Sequence, residues 1–149
     1  MHWQVSRWPF FTLPSAHGIV SLASRHNDYS FKIKVTRPSE YYFKEGCFIE
    51  EWHNTASDEG CSIAHVRVAP GKTTKLHALK KTKERYVLLS GVATVTVGGK
   101  QWRVTEGDVV NIDADESQKI CNQGRVNLLF LAICTPRFTV DNYYEIAEE

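Results

Sequence analysis

Neither sign of charge is in excess in this chain: 18 Lys and Arg face 17 Asp and Glu, leaving a formal net charge of +1. That balance supplies no basic field and no acidic tail, so nucleic acid is not an expected partner. Long apolar runs are missing too, and a membrane-spanning helix needs about 20 consecutive apolar residues. Cysteine is sparse, with Cys47, Cys61, Cys121 and Cys134 far apart and no Cys-x-x-Cys pair. The spacing speaks against a zinc knuckle or a thioredoxin-like motif and favours reduced, mostly buried thiols in a cytoplasmic protein. Sustained helical periodicity is also absent, apart from a turn near residues 142–147.

What is present is one domain's worth of chain. Its 149 residues, 42% of them apolar, suffice to bury a core. Residues 1–30 differ from the rest: Trp3, Trp8, Phe10 and Phe11 crowd around Pro9 and Pro14 without a period. A secretory leader needs an unbroken apolar core, and Pro9, Pro14, His17 and Gly18 interrupt this one. A flexible arm, a strand exchanged with a partner subunit and a start codon placed too early all stay open for this segment. From Phe31 onward short β-rich segments recur, at 31–35, 47–52, 61–68, 74–79, 85–89, 93–97, 101–105, 109–112, 118–121 and 128–134. Turn residues separate them, and this rhythm predicts an all-β sandwich or barrel over residues 31–137, with a tail at 138–149. Gly98 and Gly99 can supply the positive φ angles of a two-residue hairpin turn. That turn pairs Val95 with Trp102 and Ala93 with Val104 on an apolar face, and Thr96 with Gln101 and Thr94 with Arg103 on a polar one.

Polar residues interrupt the apolar alternation at set intervals: Gly71, His77, Glu84 and Gly91, then Gly107, Gln118 and Asn122. His77, Glu84 and Gln118 offer an imidazole, a carboxylate and an amide oxygen, a set able to hold a divalent ion with open positions for a ligand. The same three groups can instead satisfy one another as a buried hydrogen-bonded cluster without any ion. His65, on a neighbouring strand, is a candidate fourth ligand. Tyr86 shares the face of Glu84 and Lys75 that of His77, making both candidate catalytic groups, against plain roles as barrel wall and surface lysine. The run from Lys72 to Lys83 is locally basic, either a solvated loop or a patch for an anionic substrate.

The pattern Gly-x5-His-x6-Glu-x6-Gly, followed by Gly107 and Asn122 at the matching interval, resembles the two motifs of the cupin superfamily, over roughly residues 61–136. The resemblance implies a double-stranded β-helix, or jelly-roll barrel. Leu79 and Gln118 stand where the family has histidines, and Asp113 and Asp115 replace the Pro and Gly of the second motif. Only His77 and Glu84 keep the usual metal-binding side chains. With Glu84-Arg85-Tyr86-Val87 running into Ser90-Gly91, the chain is similar to small single-domain cupins named for mannose-6-phosphate isomerases. The resemblance implies weak binding of Mn, Fe, Ni or Zn and action on a small carbohydrate-like or carboxylate ligand. A non-catalytic binding or sensing module, and an Fe or Mn dioxygenase or decarboxylase, are the alternatives. A homodimer is expected, because such barrels leave sheet edges for a partner to cover.

Overall fold

The structure, a computed structural model, describes residues 39–148. The N-terminal arm at 1–30 and the strand expected at 31–35 lie outside the described residues. The strands are β1 Tyr41–Phe43, β2 Cys47–His53, β3 Ser62–Val68, β4 His77–Leu79, β5 Lys83–Ser90, β6 Val92–Val97, β7 Lys100–Thr105, β8 Val109–Ile112, β9 Gln118–Asn122, β10 Leu128–Thr135 and β11 Tyr143–Glu145. They build two antiparallel sheets, ordered β1-β2-β3-β10-β5-β8 and β11-β4-β9-β6-β7, the double-stranded β-helix expected from the sequence.

Alternation places the core between the sheets. On β10, Leu128, Phe130, Ala132 and Cys134 point inward, and on β5 so do Glu84, Tyr86 and Leu88. Val95 and Ile120 meet them from the second sheet. Each fully buried side chain of this size contributes roughly 1.5–3 kcal/mol. Strands short enough to lack alternation are the ones the sequence did not show. β1 and β11 have three residues each, and β11 joins the second sheet through β4 from within the segment expected to be a tail. β4 is shorter than expected because Thr74 and Lys75 turn their amides to Ile120 and Glu45 in an irregular loop.

The hairpin has the expected register, with Gly98 and Gly99 at φ of 55° and 77°. Val95, Ala93 and Val104 are buried on the apolar face, whereas Trp102 remains 49% exposed because β7 is the edge of its sheet. Gly91 takes a φ of 99°, and a Cβ there would come within 3.1 Å of the Leu128 Cα, so only glycine fits that crossing.

Asn122 closes the barrel at the far end of β9. Its Nδ2 donates to the carbonyls of Val68 and Val126, both at 2.9 Å, and its Oδ1 accepts from the Gly124 amide. One buried side chain thereby joins β3, β9 and the 124–126 turn. Asn122→Ala leaves these buried groups unpaired and is expected to cost roughly 3 kcal/mol. The check is a urea midpoint shifted to lower concentration with an unchanged slope.

Candidate functional site

His77 and Gln118 face each other directly across β4 and β9. Gln118 Nε2 donates to Glu84 Oε2 at 2.7 Å, so the fold brings together the three residues singled out in the sequence. His77, Glu84 and Tyr86 line a cavity between the sheets, with about 50 Å³ of room for the centres of water-sized molecules. Leu79 lines it as well, putting an isobutyl group where the motif has an imidazole.

The tautomer of His77 follows from its contacts. Nδ1 lies 2.8 Å from the Lys75 carbonyl, which can only accept, so Nδ1 carries the proton. Burial lowers the His77 pKa below 6.5, partly opposed by that bond, so at neutral pH Nε2 holds a free lone pair. Nε2 lies 3.6 Å from Glu45 Oε2. Glu45 is itself held well above the usual carboxylate range by burial and by the nearby Glu84. Burial thus disfavours the charged form of both partners and works against an ion pair between them.

Glu84 is different in degree. Burial pushes its pKa to about 7, while hydrogen bonds from Gln118 and Cys134 work in the opposite direction. The Cys134 Sγ lies 3.6 Å from Glu84 Oε1. Gln118 Oε1 is buried and has no hydrogen-bond partner in the structure. Burial holds the Cys47 and Cys134 thiols protonated and inert as nucleophiles. Tyr86 likewise keeps its phenol proton, and its ring packs 4.5 Å from Phe130.

Two sequence candidates lie elsewhere. Lys75 is exposed and pairs with Glu145 at 2.9 Å, outside the residues that line the cavity. Its backbone carbonyl, not its amine, serves the site. His65 points to the other face of β3, stacked on Trp52 at 5.3 Å and 4.0 Å from Glu50. It shares no surface with His77 because Ala64 and Val66, its neighbours on the strand, take the inward positions.

Glu45 was missed. It sits in the turn between β1 and β2, where a Glu-Gly pair reads as an ordinary solvated turn. Gly46, at φ 104°, closes that turn back onto Phe43, and the Glu45 side chain enters the barrel. Nothing in the local pattern signals this, because the burial comes from strands far away in sequence.

Among the described residues, no group of three His, Cys, Asp or Glu is arranged to hold a metal ion. Glu84 is already engaged by Gln118 and Cys134, and Leu79 occupies the remaining position. The donor set in this arrangement does not fit a bound divalent ion.

Comparison with known proteins agrees with the fold. Residues 64–134 match the family described as Cupin domain, close to the interval read from the motifs. An uncharacterized protein of Methanocaldococcus jannaschii is 28% identical over 110 residues, 72% of this chain and 88% of that protein. A predicted oxalate decarboxylase of Thermotoga maritima is 26% identical with a TM-score of 0.58, over 69% of this chain and 94% of that one. The nucleoside dehydratase Pac13 of Streptomyces has the same fold at 12% identity and a TM-score of 0.65, over 78% of this chain and 90% of that one.

The raised Glu84 pKa makes stability depend on pH. Between 4.5 and about 7 the folded protein holds a proton that the unfolded chain has given up. Stability therefore falls as pH rises through that window and levels off above it. The loss is on the order of 3 kcal/mol. Glu84→Gln keeps an acceptor for the Gln118 amide and cannot ionise, so its melting temperature is expected to exceed wild type at pH 8 by a few degrees and to converge with it near pH 5. Parallel melting curves for the two proteins from pH 5 to 8 would disprove this.

Proposed function

We propose that this cupin-domain protein binds a small polar organic molecule inside its barrel and moves a proton on it, with His77 as base and Glu45 as acid. The observation that carries the reading is the contact of buried His77 Nε2 with Glu45 Oε2 at 3.6 Å, on the wall of the cavity between the sheets. Burial favours a lone pair on His77 and a proton on Glu45, the division of labour that acid–base catalysis needs. Glu84, fixed by Gln118 and Cys134, acts as a pole that orients the ligand. Tyr86 supplies a phenolic donor on the wall and needs no ionisation to do so.

Such a site suits the shift of a proton next to a carbonyl, which includes the isomerase-like chemistry expected from the sequence. A phosphorylated sugar fits poorly, since no Lys or Arg is among the described residues that line the cavity. The likeness to a predicted oxalate decarboxylase supports a decarboxylase as the second reading. Oxalate is a dianion, however, and here it would meet Glu45, Glu51 and Glu84 without a cation. Four free cysteines accord with a reducing, cytoplasmic setting, and the exposed Trp102 on an edge strand accords with a homodimer. Among the described residues no helix is long and apolar enough to cross a membrane.

The test is proton exchange in D₂O, followed by proton NMR, with a panel of small hydroxy- and amino-carbonyl compounds. At least one compound is expected to lose its C–H signal beside the carbonyl, at a rate unaffected by EDTA. His77→Ala and Glu45→Gln should each slow that exchange by at least about 100-fold. The rate is expected to be at its plateau by pH 7 and to fall on acidification below 6.5, as His77 becomes protonated. Exchange abolished by EDTA would defeat the metal-independent reading. Binding of a compound with no exchange at all would make the protein a binding module.

A further inference from the structure

The groups that face the cavity are unequal in kind. His77 Nε2 presents a lone pair and Glu45 and Glu84 add two carboxyls, while Gln118, behind Glu84, donates to it and leaves its own buried Oε1 without a partner among the described residues. Glu51 adds a third carboxyl nearer solvent, where it accepts from the Tyr41 hydroxyl. Among the described residues no lysine or arginine lines the same space. His77 Nε2 and the carboxyl oxygens all accept, and once Glu84 ionises its charge meets no fixed cation among the described residues that line the cavity. Buried carboxyls are ordinarily paired with a positive group, because an uncompensated charge in a dry site is costly. Here the described residues that line the cavity include no lysine or arginine to serve as that partner.

The rest of the wall points the same way. Tyr41, Phe43, Tyr86, Phe130 and Phe138 contribute five aromatic rings. The faces of aromatic rings carry negative potential and attract cations, and an ammonium among such rings is held by that potential. A neutral alcohol brings one hydrogen-bond donor to this surplus of acceptors, whereas a primary ammonium brings three. A bare divalent ion would need several donors converging on one point, which the described residues do not offer. It would also leave the aromatic wall without a partner.

We propose that the cavity receives a small primary amine in its protonated form, with the ammonium against Glu84 and Glu45 and the carbon skeleton between the aromatic rings. This rests on the reading of the cavity as the ligand site and names the class of ligand it takes. With 10–15 Å³ needed per water-sized occupant, the space admits roughly four non-hydrogen atoms beside the polar groups. The ligand is accordingly a short-chain amine or the amine end of a longer one that reaches out past Tyr41 and Glu51.

Three probes of nearly equal size and different charge test this: propylammonium, 1-propanol and propionate. Each is titrated at pH 7.5 in the presence of EDTA into the full chain and into Glu84→Gln, with binding followed by NMR shifts of the aromatic and Ile methyl signals. Propylammonium is expected to bind wild type at least tenfold more tightly than 1-propanol, with propionate weaker still. Glu84→Gln should erase most of the difference between amine and alcohol. Propionate or 1-propanol binding as tightly as propylammonium would overturn the amine assignment while leaving the cavity a ligand site. Failure of all three to bind, in wild type as well as in the variant, would remove the ligand-site reading itself and this inference with it. Because the charge series is read in wild type, the result stands even if the variant does not fold.

Discussion

A β-strand can turn only every second side chain toward the interior, and this structure depends on that limit. Once Tyr86 and Leu88 of β5 enter the core, Glu84 must enter with them. Once Ile120 and Asn122 of β9 point inward, Gln118 does too. The polar cluster is therefore a consequence of the same alternation that builds the apolar core. A register slip of one residue would expel both together.

Burial then determines the chemistry. Glu84 and Glu45 lose water, and Glu84 raises Glu45 further, so both hold protons far better than a free carboxylate. His77 moves the other way, toward its neutral form. The outcome is a set of polar groups, their charged forms disfavoured by burial, in one small space. Hydrogen bonds grade them: Gln118 and Cys134 bring Glu84 near neutrality, while Glu45 has no comparable help.

The motif residues divide into two kinds. Gly91 and Asn122 serve the scaffold, one by permitting close approach of the chain at Leu128, the other by joining β3, β9 and a turn. Their spacing marks the fold whatever the site contains. His77 and Glu84 serve the site, and there the substitutions at Leu79 and Gln118 change what the barrel can hold. Leu79 adds apolar wall, and Gln118 replaces an imidazole with an amide that donates to Glu84 and leaves its oxygen free. The fold thus survives changes that alter the function it supports.

The sequence by itself determined most strands, the hairpin register at Gly98 and Gly99, the barrel class and the inward placement of His77, Glu84 and Gln118. All of these follow from local turn chemistry and from a period of two, which neighbouring residues carry. Tertiary structure alone decided the rest. Three-residue strands such as β1 and β11 have no period to read, and exist only because long-range partners pair with them. His65 and Lys75 had a plausible parity, yet the side of the sheet that each one faces is settled by packing across the barrel. Glu45 entered the site from a turn, where sequence predicts water. What drew it in was the meeting of two sheets, a contact between residues distant in the chain that no local pattern encodes.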